Sequence, residues 1–496
     1  MATDNRLVIG IDFGTGSSKG VLARASGEVI ATSTKPHRTS MPKPGFFEHD
    51  ANEVWWADFK AIIADLLAEA DGPIAAITTS GIGPCSVFCD ANGEPLRPAI
   101  LYGVDTRATK EVEELTASIG TSALLDRCGN LLGSQAHGPK MLWTVRNEPE
   151  VWEKAKYFFM AQTYIAFKLT GAYVIDHQSV SMFEPMYSPK TQDWIPEWCE
   201  LVAPGMALPE LKYSNEIAGY ITAEGAALSG LPEGIPVGVG GTDAYVEGLS
   251  VGVKDPGDVV LMYGSTMALS LIADHVMTSP ELWSLTGLYR DSFTLIGALS
   301  ASGALTSWLG DFTGSDFGAL SAQAVEAGPG SNGLLALPYF AGERTPISDP
   351  MARGVIAGLT LTSSRGDVYR ALLEASAYGA RHLLEAIRAA EGEDKRIVAV
   401  GGGTTGGLWT QIVSDVLGIE QVLPKLAIGA SYGDALISAQ IIGAADESTT
   451  WMEAAGHVLP NPANKQLYDD FYGRYRELYP ATRDVAHFLS AFQLAK

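Results

Sequence analysis

GIDFGTGSSKG, residues 10–20, stands between the apolar runs Leu7-Val8-Ile9 and Val21-Leu22-Ala23. Two short apolar runs joined by Gly, Thr and Ser predict a strand, a tight turn and a second strand. At Gly14 and Gly16 no Cβ blocks backbone N–H groups from a bound anion, so the turn suits a phosphate. An ordinary Gly-rich hairpin fits the same letters. Asp12 falls at a strand end, where a metal could be held. The spacing of Gly10, Gly14 and Gly16 matches neither a GxGxxG dinucleotide fingerprint nor a GxxxxGK[ST] loop, and the run that follows reads as strand. Glu28–Ser33 follows the Ser26-Gly27 turn as a third strand, so the chain opens on a meander.

Around this opening, 496 residues with 46% hydrophobic content suffice for two or three globular domains with substantial cores. A formal net charge of -23 argues against broad binding to nucleic acid or anionic membranes. It leaves room for a nucleotide in one cleft, where backbone donors and a divalent cation reverse the local field. Cys85, Cys89, Cys128 and Cys199 form neither a disulfide framework nor a paired CxxC zinc pattern and read as buried free thiols. MATDNRL lacks a signal-type apolar core, and Val259–Ala273 is too short and too interrupted to span a bilayer. A cytoplasmic protein is expected.

Ala51 begins a helical pattern carrying Val54, Trp55, Phe59, Ile62, Ile63 and Leu66. Ile74–Thr79 then reads as a buried strand that releases Ser80-Gly81-Ile82-Gly83-Pro84 at its carboxyl end, where open α/β sheets carry function. A hairpin across Asn92-Gly93, from Ser86–Cys89 to Pro98–Leu101, leads to Tyr102–Arg107. Asp105 and Arg107 suit a hydroxylated substrate, since one accepts hydroxyl protons and the other supplies oriented donors; a helix-terminal charge pair reads equally well. His137 contacts substrate or serves structure.

In VGVGGTDAYVEG, residues 237–248, a strand reaches a glycine turn and delivers Thr242-Asp243 to a helix N-terminus. Backbone donors there are expected to keep Asp243 ionised, able to take a proton from a substrate hydroxyl attacking phosphorus. A helix-capping carboxylate has the same local pattern.

Asp258–Tyr263, Gly264-Ser265-Thr266 and Met267–Leu271 then repeat the strand, small-residue turn and strand of the opening. Two such hairpins predict two similarly built lobes closing on one multiphosphate ligand, with the boundary near Ser250–Pro256. In the second lobe Asp367–Ala390 has the spacing of an amphipathic helix, with Arg381 and His382 on its solvated edge. Ile397–Val400 delivers GGGTTGGLW, residues 401–409, whose adjacent glycines admit a base or ribose, or simply a tight strand-to-helix turn.

The ordered landmarks DFGTGSSK (12–19), PKMLW (139–143), GGTDA (240–244), YGSTMA (263–268), GVIAGL (354–359) and GGGTTGGLW (401–409) resemble the FGGY carbohydrate kinase family over nearly the whole chain. The likeness is greatest to its xylulose-kinase-related members. It implies an α/β chain of two actin-like, ribonuclease-H-like domains, 1–250 for sugar and 251–496 for nucleotide, with an interdomain catalytic cleft. By the same resemblance Asp243 is the catalytic base, Asp12 and Asp243 lie at magnesium, and Thr15, Ser17 and Lys19 with Gly264, Ser265 and Thr266 flank the phosphates of ATP. Gly401, Gly402 and Gly403 fall at the adenosine, and Gly83, Pro84, Asp105, Arg107 and Asp243 at the sugar. Ile82-Gly83-Pro84 replaces the family's Gln-Met-His sugar motif and Ala244 replaces an asparagine, so the sugar stays open among a xylulose-like ketose, another ketopentose, a polyol and a deoxy sugar. A noncatalytic ATP-binding regulatory protein is the competing class, and the family allows a homodimer.

Overall fold

The computed structural model describes residues 5–390 and 392–494. The opening stretch forms three antiparallel strands, β1 (Leu7–Phe13), β2 (Ser17–Arg24) and β3 (Val29–Pro36). A π-helical turn, Ala51–Trp56, then runs into helix α1 (Ala57–Ala68), where the spacing predicted one continuous α-helix. Phe59, Ile62, Ile63 and Leu66 of α1 close one face of the sheet.

Strand β4 (Ile74–Gly81) pairs parallel to β1, and β5 (Ile217–Tyr220) with β6 (Pro236–Gly238) completes a six-stranded sheet in the order β5-β6-β4-β1-β2-β3. The second sheet holds β7 (Asp258–Tyr263), β8 (Met267–Ala273), β9 (Trp283–Thr286), β10 (Phe293–Leu299), β11 (Arg396–Val400), β12 (Gln421–Pro424) and β13 (Ala454–Val458). Its order is β9-β10-β8-β7-β11-β12-β13. Laid on the first sheet with β7 over β1, it repeats the antiparallel trio, the parallel neighbours and the antiparallel far edge, and adds only β9. The repeat read from two hairpins is therefore a repeat of the whole sheet.

Two helices fill the seam between the sheets, α2 (Asp243–Ser250) and α5 (Ala430–Ile441); between them in the chain come α3 (Arg365–Ala389) and α4 (Leu408–Leu417), and α6 (Lys465–Leu494) closes it. Although α5 comes between β12 and β13 of the second sheet in the chain, it lies on the first sheet. Strand periodicity explains how: Leu7, Ile9, Ile11 and Phe13 face the α1 side, while Val8 and the even positions beside it face α5. Ser438 bonds the Ile9 carbonyl and the Thr78 hydroxyl, each at 2.9 Å. A Cβ on Gly10 would stand 2.0 Å from the Ser431 carbonyl oxygen, so only glycine admits the helix here.

Three local expectations are corrected. Val87–Cys89 pairs with Tyr157–Phe159, and the expected hairpin contracts to bridges at Ser86–Ile100 and Cys89–Pro95. Arg381 is only partly exposed: α6 packs over it, with Asp469 at 2.7 Å and the Tyr472 ring at 4.3 Å. Burial likewise pushes the His382 imidazole down to about 4. All four cysteines are buried free thiols, and no helix among the described residues is long and apolar enough to cross a membrane.

Candidate active site

Parallel strands β1, β4 and β6 end at the same edge of the sheet, which gathers Asp12, Ser80-Gly81 and Thr242-Asp243. Asp12 and Ser80 are in register, and both point to the α5 side, where Asp434 meets them. Ser80 Oγ donates to Asp434 Oδ2 at 2.6 Å and lies 3.5 Å from Asp12 Oδ1. Glu247 stands one turn along α2 from Asp243. Four carboxylates thus share a partly dry space in which Lys19 is the cation whose field reaches Asp12 and Glu247.

Burial, then the charges of Asp243 and Glu247, hold the Asp12 carboxyl well above its usual range; burial also raises Asp434 strongly. Asp243 is pushed up to about 7, chiefly by loss of water and then by Glu247. Its Oδ1 accepts a single backbone hydrogen bond, from Ala244 N at 2.7 Å. The expectation that backbone donors keep Asp243 ionised is therefore corrected: one amide does not offset desolvation beside like charges. Thr242, not Asp243, occupies the helix cap. Asp434 was not singled out from sequence; the one signal was a lone acid inside the small-residue run Gly429–Ser438.

Asp243 opens onto a cavity of about 260 Å³ between the lobes. Thr15, Gly83, Tyr102, Gln135 and Glu184 line it from the first lobe; Thr266, Trp283 and Leu285 of β9, Ile296 and Ala298 of β10, and Arg344 line it from the second. Thr15 Oγ1 lies 3.3 Å from the Tyr102 hydroxyl, and Gln135 is fixed between Gly103 N and the Gly83 carbonyl. Sequence reasoning missed Gln135, Glu184, Trp283 and Arg344 as wall residues, because they come from loops and an edge strand with no local motif.

Asp105 and Arg107 do not reach this cavity. Both side chains are fully buried and closed on each other at 2.8 Å, and Arg107 also holds Glu48 at 2.9 Å. Phe47 N donates to Asp105 at 2.7 Å, so the pair is spent on structure and the charge-pair reading replaces the sugar-gripping one. Pro84 is buried behind Gly83, off the cavity wall, and His137 is enclosed with its Nε2 on Ser86 Oγ at 2.7 Å. Ser17 and Lys19 stand on β2 outside the lining.

A second cavity of about 520 Å³ lies within the second lobe. Gly264 and Ser265 at the end of β7, Gly402 and Gly403 after β11, Tyr369 of α3 and Trp409 of α4 line it. Gly401 turns at φ +97°, with a would-be Cβ 2.5 Å from the Tyr263 carbonyl oxygen, and a Cβ on Gly403 would stand 2.6 Å from the Trp409 ring. The glycine run is thus set by close backbone approach as well as by the turn. Gly264 and Ser265 face this cavity while the adjacent Thr266 faces the first. One three-residue turn therefore joins the two.

The sequence model for the N-terminal domain of the FGGY family of carbohydrate kinases matches residues 7–249, and that for the C-terminal domain matches residues 259–440. The crystal structure of a xylulose kinase from Rhodospirillum rubrum aligns with a TM-score of 0.91 at 32% identity, covering 97% of this chain and 100% of that one. A xylulose kinase of Lactococcus lactis is 28% identical over 98% of this chain and 99% of its own length. A glycerol kinase of Nocardia farcinica is 29% identical over 90% and 93%. With its two repeated sheets and a cleft carboxylate between two joined cavities, the chain belongs to the FGGY family of carbohydrate kinases and is an ATP-dependent sugar kinase.

Proposed function

We propose that the acceptor is a ketose of the xylulose type, bound in the 260 Å³ cavity with a primary hydroxyl at Asp243. ATP lies in the second-lobe cavity, its adenosine against Gly401–Gly403 and its terminal phosphate at the Gly264–Thr266 turn. The observation that carries this reading is the turn itself, which faces the nucleotide-sized cavity on one side and the Asp243 cavity on the other. The acceptor oxygen attacks the γ-phosphorus, Asp243 takes the hydroxyl proton, and the bond to the β-phosphate oxygen breaks to release ADP. Thr15 and its neighbours on the first hairpin supply donors from the opposite side.

Asp12 and Asp243 fit a magnesium ion carried on the nucleotide. They offer hard oxygen donors where like charge is otherwise unmatched, as the raised carboxyls of Asp12 and Asp434 record. Such an ion neutralises charge on the transferring phosphoryl group. Ser80 fixes Asp434 and lies beside Asp12, which keeps both acids on the phosphate side of the sheet edge.

The xylulose-type reading is supported by the relatives named xylulose kinase. A polyol is the second reading, favoured by the glycerol kinase of comparable identity and by apolar Ile82 and Ala244 in the cavity wall. ADP release with Mg-ATP, screened over ketoses, polyols and deoxy sugars, tests both. One sugar is expected to raise ADP release far above water-driven turnover, and Asp243→Asn to cut that increase by about 10²–10⁴-fold. Sugar phosphorylation retained in the Asp243→Asn protein would remove Asp243 from the role of base.

A further inference from the structure

Glu184 is a buried carboxylate on the acceptor-cavity wall that the transfer at Asp243 does not use. It is 4% exposed and lines the same cavity as Asp243. Its Oε1 accepts from Asn130 Nδ2 at 2.8 Å, while Oε2 has no hydrogen-bond partner among the described residues. Asn130 is itself held across the lobes, accepting from Ser284 N at 2.7 Å and donating to the Ser284 carbonyl at 2.9 Å. The carboxylate is therefore oriented by a fixed amide and left with one unmatched acceptor.

Leaving such an oxygen unpaired in the dry state is costly, so it calls for a donor. From the second lobe, Trp283, Leu285, Ile296 and Ala298 form an apolar wall apart from the indole N–H; Thr266 and Arg344 also line the cavity, and Arg344 Nη2 is turned to the Leu299 carbonyl at 3.1 Å. Tyr245 lines the cavity within electrostatic reach of both Asp243 and Glu184, and its hydroxyl makes no hydrogen bond among the described residues. Glu148, Asp176, Glu343 and Asp434 also leave a buried oxygen unmatched, but none of them lines this cavity. Glu184 alone among these acids combines an unmatched oxygen with a place on the acceptor wall.

We infer that Glu184 and Tyr245 form a subsite for an acceptor hydroxyl other than the one phosphorylated, and that this subsite rejects sugars lacking that hydroxyl. The inference rests on reading this cavity as the acceptor site. Asp243 and Glu184 come from different elements, the α2 N-terminus and the loop after Val180, so they grip different oxygens of one sugar. Burial raises the Glu184 carboxyl to about 7, which lets it accept from a hydroxyl or donate to one near neutral pH.

The test is a substrate-against-side-chain cycle, using D-xylulose, D-ribulose, glycerol and singly deoxygenated analogues of the two ketoses. Wild-type enzyme, Glu184→Gln and Tyr245→Phe are compared by kcat/KM in the ADP-release assay. Glu184→Gln keeps an oxygen for Asn130 and is expected to lower kcat/KM for the best ketose by about 10–100-fold, mainly through KM. One deoxygenated analogue should cost the wild type a similar factor and be handled alike, within about threefold, by wild type and variant. Equal losses on every ketose and analogue in Glu184→Gln mean a structural role and overturn the inference alone. A wild type that turns over every analogue as well as its parent overturns it without any variant. No sugar-dependent ADP release at all overturns the acceptor reading and the inference with it.

Discussion

Lys140 carries its ammonium into fully buried space behind Tyr102, where Nζ donates to the carbonyls of Leu101 at 2.8 Å and Tyr102 at 2.6 Å. Burial pushes it down to about 7, with Asp105 pulling up and Arg107 pressing further down. The unfolded chain holds this proton up to about pH 10.5, the folded chain only to about 7. Between those values the unfolded state binds more protons, so stability rises with pH; below about 7 the cost of the buried charge is present in full. The folded protein should gain about 3–5 kcal/mol from this group on going from neutral to alkaline pH. Melting curves from pH 6.5 to about 10 should show that rise in wild type and a flatter profile in Lys140→Met. Identical slopes would assign the titration to another group. The same buried neighbourhood explains an error of reading: the spacing of Asp105 and Arg107 suits a hydroxyl clamp and a closed ion pair alike, and only burial decides. Asp243 was legible because strand, glycine turn and helix start are contiguous in sequence. Glu184 was not, since its significance depends on Asn130 and on a wall from the other lobe.

At the level of elements, the opening hairpin was readable as strands and turn, yet the reason for its glycines divides in two. Gly16 has nothing within 4 Å of a would-be Cβ, and its place in the turn leaves it free for a ligand. Gly10 is set by packing, because a Cβ there would strike the Ser431 carbonyl oxygen at 2.0 Å and the Ala435 nitrogen at 2.4 Å. Gly10→Ala must displace α5 from β1, and with it Asp434 from Ser80. A loss of about 3 kcal/mol is expected together with a severe fall in sugar-dependent turnover, while Gly16→Ala should melt like wild type. Thermal melts of the two proteins side by side decide this, and equal melting points would mean that the helix shifts freely. Turn chemistry was legible elsewhere too: Gly93 takes φ +79° and donates to the Asp90 carbonyl at 3.0 Å as the Asn92-Gly93 turn requires. Strand partners were not, because Val87–Cys89 finds its ladder in Tyr157–Phe159, a choice made by the tertiary core.

For the molecule as a whole, the repeated sheets suggest two interchangeable lobes, but the packing is unequal. Val8, Val21, Ala23 and Ala76 of the first sheet cluster with Tyr432, Ala435 and Ala439 of α5, a helix supplied by the far half of the chain. Thr78 and Ser80 point the same way and find Ser438 and Asp434. At another side of the cleft, Ser284, Thr286 and Leu288 bond Asn130, Ser181 and Ser214 of the first lobe. Residues 1–250 expressed alone therefore expose an apolar sheet face flanked by unpaired polar groups, an aggregation-prone combination. That fragment is expected in the insoluble fraction, and co-expression with residues 251–496 should bring both into a soluble pair that regains sugar-dependent ADP release. Sedimentation and a melting curve on the 1–250 fragment provide the measurement. A soluble, cooperatively melting monomer would mean that α5 is a removable cover and that the first lobe stands by itself.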